Sequence, residues 1–150
     1  MSTEKNLTAR VTHRFSASPE RVFEAWLDPE KVKVWMGAPG SNAGATEVMG
    51  RVEVDARLGG SFTFVVRRDG EDIAHVGEYL EFDRPRRLVF TWAIPQYSPD
   101  KDRVSVDIAP DGSGCEVTLT CEMHPSWAEY LERTEKAWGL MLGAMEKALG

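Results

Sequence analysis

Polar and apolar residues alternate at the start of the chain. Leu7, Ala9, Val11, His13 and Phe15 interleave with Thr8, Arg10, Thr12 and Arg14, and period two predicts a half-buried strand there. Ser18-Pro19-Glu20 then carries three helix-start signals: a capping hydroxyl, a proline suited to the first turn, and an acid at the positive end of the dipole. Val22, Phe23 and Trp26 fall on one face of that helix. Asp28-Pro29-Glu30 repeats the signal, so a second short helix runs to about Trp35, with Val32 and Trp35 as its apolar side.

Met36–Thr46 is rich in Gly, Ala, Pro, Ser and Asn. About ten such residues are long for a connection and suggest a functional rim or lid. From Thr46 to Met123 the pattern is β. Strands are predicted over Glu47–Asp55, Ser61–Arg68, Ile73–Phe82, Leu88–Ile94, Asp102–Ala109 and Cys115–Met123. Gly59-Gly60, Asp69-Gly70, Arg84-Pro85, Pro95–Asp100 and Asp111–Gly114 separate them, and such short connections imply antiparallel neighbours.

Ser126-Trp127-Ala128-Glu129 fits a capping box and predicts the start of a long helix. Trp127, Leu131, Thr134, Trp138, Met141, Leu142, Met145 and Leu149 then recur at helical spacing. Gly139 and Gly143 each lower helicity by about 1 kcal/mol, and close approach of the helix to the sheet would explain them. The sum is an α+β fold of order β-α-α-β6-α in one domain, residues 1–150. Its antiparallel, curved sheet is expected to wrap around the long C-terminal helix.

Composition narrows the function. The 150 residues carry 18 Lys and Arg against 24 Asp and Glu, a net charge of −6. Phosphate binding needs a concentrated basic face, whereas Arg67-Arg68, Arg84 and Arg86-Arg87 sit at strand ends with acids nearby, so no nucleic-acid partner is expected. No apolar run reaches the ~20 residues of a membrane span, and Met1–Arg10 lacks the apolar stretch of a signal peptide. The cytoplasm is the expected compartment. Cys115 and Cys121 share a predicted strand about 20 Å apart, beyond disulfide reach, and read as free buried thiols. Five tryptophans, at 26, 35, 92, 127 and 138, stand out more than the charge. They suit either a core or the wall of a ligand cavity.

Longer stretches have a familiar form. They are Phe15-Ser16-Ala17-Ser18-Pro19-Glu20-Arg21-Val22-Phe23-Glu24-Ala25-Trp26, Leu27-Asp28-Pro29-Glu30, Trp35 with Gly37, Gly59-Gly60, Gly77–Phe82, and Pro85–Trp92. With these the chain resembles the activator-of-Hsp90-ATPase-homologue-like family, within the START/Bet v 1-like (SRPBCC) helix-grip superfamily, from about Val11 to Leu149. Met36 stands where the family often has a second Trp, and Trp138-Gly139 reverses a common Gly-Trp. The resemblance implies a helix-grip fold and a cavity between the sheet and the last helix. It also raises an Hsp90-type chaperone partner and a link to stress responses.

The candidate ligand-binding residues are Trp35, Met36, Phe62, Phe64, His75, Tyr79, Trp92, Ile94, Tyr97, Met123, Trp138, Met141 and Leu142. Strand parity turns most of them to one side, and apolar cavities between elements are the usual small-molecule sites. The parity of 73–82 is ambiguous, because Ala74, Val76, Leu80 and Phe82 compete with His75 and Tyr79 for the inner face. Cys121-x-x-His124 falls short of a metal site, which needs three or four convergent ligands. There is no G-x-S-x-G elbow and no phosphate loop. For acid–base chemistry the one combination to examine is His75 with Glu81 or Glu47. The expected function is therefore non-catalytic binding of a small apolar or amphipathic molecule, with no cofactor and no metal. The alternatives are an Hsp90-activator-type interaction module and a cyclase- or hydrolase-like enzyme using the same cavity. A homodimer through Trp35 or Trp127 is a further partner option.

Overall fold

The computed structural model describes residues 7–36, 47–68, 70–95 and 101–149. Strand β1 (Leu7–Phe15) leads into helices α1 (Pro19–Ala25) and α2 (Pro29–Met36). Six strands follow: β2 (Glu47–Val54), β3 (Ser61–Arg68), β4 (Glu71–Asp83), β5 (Arg87–Trp92), β6 (Asp102–Asp111) and β7 (Gly114–Met123). A 3₁₀ segment (Pro125–Tyr130) precedes helix α3 (Leu131–Leu149). The seven-stranded sheet has the order β1-β7-β6-β5-β4-β3-β2, with every pair antiparallel. The first strand therefore joins the last, so the edges are β1 and β2.

The helix starts follow the sequence signals. Ser18 accepts a hydrogen bond from the Arg21 amide with Pro19 at the first position, and the Glu30 amide donates to Asp28. The long helix departs from its capping box. Its α segment begins at Leu131, and Ser126–Glu129 lies in the 3₁₀ turn. A tighter turn is a common entry to an α-helix.

Inner-face parity is clear in β3, β6 and β7. Phe62, Phe64 and Val66, then Val104, Val106 and Ile108, then Cys115, Val117, Leu119, Cys121 and Met123 are all buried. Both cysteines are free thiols, and burial raises the pKa of each. In β4 a bulge resolves the competing faces. Ile73, His75 and Tyr79 point inward, and an irregularity between Tyr79 and Glu81 then switches parity, so Phe82 joins the core while Leu80 is exposed. Gly77 is required by packing. A Cβ there would lie 1.9 Å from the Thr91 carbonyl oxygen and 2.4 Å from Phe62 Cζ.

On the outer face, Val89 and Ser105 are buried although they point away from the core. Arg87 and Arg103 flank that pair and both reach Glu81, each at 3.2 Å, while Arg87 also pairs with Asp107 at 2.6 Å.

Helix α3 lies across β1 and is tied at both ends. Glu135 accepts from the Arg10 amide of the edge strand at 3.0 Å, and Glu146 bonds His13 at 2.8 Å. The final carbonyls of α3 accept from Arg21 at Leu149 and Lys31 at Ala148, cations that suit the negative end of its dipole. Close approach does not account for the glycines of α3. A Cβ at Gly139 would reach Val11 at an ordinary 3.8 Å, and at Gly143 it would meet nothing within 4 Å.

Candidate functional site

The inner face of β3–β5 and the three helices enclose a continuous aromatic region. Trp92 and Trp138, from sheet and helix, meet with ring centroids 5.1 Å apart. Trp138 also neighbours Trp26 at 6.1 Å and Trp35 at 6.5 Å, and those two lie 5.0 Å from each other. From the sheet, Phe64 packs edge-on to Trp35, Phe62 stacks on Phe64, and Phe90 touches Trp26, Phe62 and Tyr79. Apolar periodicity in three separate layers places these rings together, and aromatic pairs in such tilted and edge-on geometries are mutually attractive.

Polar atoms within this region fall into two groups. The Trp35 indole donates to the Ala25 carbonyl at 2.9 Å, which joins α2 to α1. By contrast, the Trp26 Nε1 and Tyr79 Oη atoms are buried with no hydrogen-bond partner among the described residues. Their residues are 3% and 2% exposed. Burial pushes the Tyr79 phenol well above its ordinary pKa of 10.0, and the charge of Asp55 adds to the rise. Tyr79 is therefore a neutral hydroxyl at physiological pH, able to donate. Its backbone is clamped by the β2–β3 turn, where Gly59 donates to the Tyr79 carbonyl and the Tyr79 amide donates to Gly60. His75 faces the same interior, 7% exposed, with its ring 5.4 Å from Trp92.

The structure brings together Trp35, Phe62, Phe64, His75, Tyr79, Trp92 and Trp138 of the candidates read from sequence. Met123, Met141 and Leu142 are buried in the same core. Ile94 lies past the end of β5 and is half-buried. β5 stops at Trp92, and Ala93 makes an isolated bridge to Val76. The Met36 side chain and Tyr97 lie outside the described residues, as do residues 37–46 of the rim and the Trp127 side chain. The pairing of His75 with Glu81 is overturned. Glu81 follows the bulge, sits on the outer face and is paired with Arg87 and Arg103. The Glu47 side chain is outside the described residues.

Two residues of the region were absent from the candidate set: Trp26 and Phe90. Phe90 is readable from the parity it shares with Leu88 and Trp92. Trp26 has the signal of an apolar helix face with Val22 and Phe23, but nothing in the sequence marks its N–H as unpaired. Among the described residues, no group of three or more His, Cys, Asp or Glu converges on a metal-sized site. None of the described helices is long and apolar enough to cross a membrane.

A family model described as Activator of Hsp90 ATPase homolog 1-like protein matches residues 16–150. Among solved structures, protein CV1439 from Chromobacterium violaceum is similar with a TM-score of 0.80 at 25% identity, over 95% of this chain and 96% of that one. Protein NE0264 from Nitrosomonas europaea gives 0.77 at 24% identity, over 99% and 96%. The AHSA1-like protein from Aeromonas hydrophila gives 0.76 at 18%, over 94% and 90%. The latter two show likeness of fold. No protein with a curated description matches.

Proposed function

From the premise that the chain belongs to the Activator of Hsp90 ATPase homolog 1-like family, we propose that it binds a small apolar or amphipathic molecule, without catalysis, between the inner face of the sheet and helix α3. The observation that carries this reading is a pair of buried polar atoms, Trp26 Nε1 and Tyr79 Oη, left without a partner among the described residues in an aromatic interior. Buried polar groups are nearly always hydrogen-bonded, and an unmet donor costs stability. A ligand-binding interior is the setting where such groups belong: a mostly apolar lining with a few polar groups that orient the guest.

Catalysis has less support. The inner face offers His75 and Tyr79 as titratable groups besides the buried thiols Cys115 and Cys121, and Glu81, one of the two acids considered for His75, points to the opposite side of the sheet. An Hsp90-type chaperone as partner draws support from the family description alone.

The test is a thermal-shift panel of uncharged aromatic, lipid-like and polyketide-like compounds, followed by calorimetric titration of the hits. The reading expects saturable binding at one molecule per chain. It also expects loss of at least tenfold in affinity for Phe64→Ala or Trp138→Ala variants that remain folded by circular dichroism. Hits whose affinity is indifferent to both substitutions would place binding elsewhere and overturn the reading.

A further inference from the structure

The unpartnered atoms also specify what kind of molecule fits. We infer that the site takes an uncharged ligand carrying a carbonyl-type oxygen on an apolar frame, with that oxygen accepting from the Tyr79 hydroxyl or the Trp26 indole N–H. This rests on the ligand-binding reading above and goes beyond it by fixing the ligand's polar group and charge.

The chemistry of the two atoms points one way. An indole N–H can only donate. The Tyr79 hydroxyl can donate or accept, and burial with the nearby Asp55 charge keeps it protonated. Both rings pack against Phe90, with centroids at 5.9 Å for Trp26 and 6.4 Å for Tyr79, so both donors belong to one aromatic neighbourhood. Ligand oxygens that accept are therefore matched, and a pure hydrocarbon would leave both donors unmet.

Charge argues against the commonest alternative, a carboxylate such as a fatty acid. Among the described residues no lysine or arginine is buried. The two half-buried ones are committed elsewhere: Lys31 donates to the Ala148 carbonyl, and Arg87 pairs with Glu81 and Asp107 on the outer face. A carboxylate taken into this interior would lose its hydration without gaining a lysine or arginine partner, which is costly.

Three naphthalene probes of one shape make the test: 2-acetonaphthone, its hydrocarbon counterpart 2-isopropenylnaphthalene, and 2-naphthoate. Each is titrated calorimetrically into the full chain and into the Tyr79→Phe and Trp26→Phe variants. The ketone is expected to bind about tenfold tighter than the hydrocarbon, the order set by satisfying a buried donor, with naphthoate weakest. In at least one variant the ketone's advantage is expected to vanish while the hydrocarbon's affinity stays unchanged. A hydrocarbon that binds as well as the ketone, a carboxylate that binds best, or a ketone preference that survives in both variants would overturn this inference and leave interior binding standing. No binding of any probe up to its solubility would overturn both.

Discussion

Removing the Tyr79 hydroxyl should leave the ligand-free protein at least as stable as before. In most cores Tyr→Phe deletes a hydrogen bond and costs about 1 kcal/mol. Here the Tyr79 ring packs between Phe62, Phe82 and Phe90, and its Oη is buried with no partner among the described residues. Tyr79→Phe keeps the ring and its packing. It removes a hydroxyl whose burial without compensation costs about 1–3 kcal/mol in mutational data. Part of that cost is relieved by local relaxation, so a gain of about 0–1 kcal/mol is expected. For a domain of this size it corresponds to a rise in Tm of up to about 4 °C. The assay is urea unfolding of the ligand-free protein at pH 7, followed by circular dichroism, with an unchanged m-value as the check on comparable states. A loss of 1 kcal/mol or more would mean that the hydroxyl is hydrogen-bonded within the fold, and the argument for it as a ligand anchor would collapse. Trp35→Phe is the control: it removes a satisfied donor as well as ring volume, and should cost about 2 kcal/mol or more.

Gly143→Ala, where a Cβ meets nothing within 4 Å, should stabilise α3 by about 1 kcal/mol, as read by the same denaturation. Gly77→Ala should prevent stable folding, because the Thr91 carbonyl is backbone and cannot yield to a Cβ at 1.9 Å; soluble, cooperatively unfolding Gly77→Ala protein would contradict the packing described. Stability should also fall at alkaline pH. Cys121 and Tyr79 are held protonated in the fold above their ordinary values of 9.0 and 10.0, so the unfolded chain binds fewer protons once pH exceeds those values. Each group then contributes a loss of up to about 1.4 kcal/mol per pH unit. Cys121→Ala should flatten the curve from pH 9 and Tyr79→Phe from pH 10. Glu81→Gln on the outer face should cost under about 1 kcal/mol, an effect that shrinks in 1 M salt.

Much of the architecture was legible because period-two alternation survives in strands that have one dry face. The inward residues of β1, β3, β6 and β7 follow from parity alone, and parity together with the helical spacing of α3 gives the convergence of Trp92 with Trp138. The failures have local causes. A bulge after Tyr79 moves Glu81 to the outer face, and no residue type there announces it. That single extra residue removes the His75–Glu81 pair while bringing Phe82 inward. The capping box at Ser126 fits a helix start, yet a 3₁₀ segment comes first and the α-helix begins only at Leu131. Gly143 suggested a tight seam, whereas the neighbouring space is open. The contrast between Trp26 and Trp35 was also hidden. Both are apolar-face tryptophans 5.0 Å apart, and only tertiary placement of the Ala25 carbonyl satisfies one indole and leaves the other.

The claim of an interior ligand site is tested most directly by the Trp26 indole N–H itself. In a ¹⁵N-labelled sample titrated with 2-acetonaphthone, that resonance should move downfield to saturation at one equivalent, with intermolecular NOEs from the probe to the Phe90 and Trp138 rings. NOEs confined to exposed residues such as Leu58, with the indole signal fixed while the probe binds, would contradict the account.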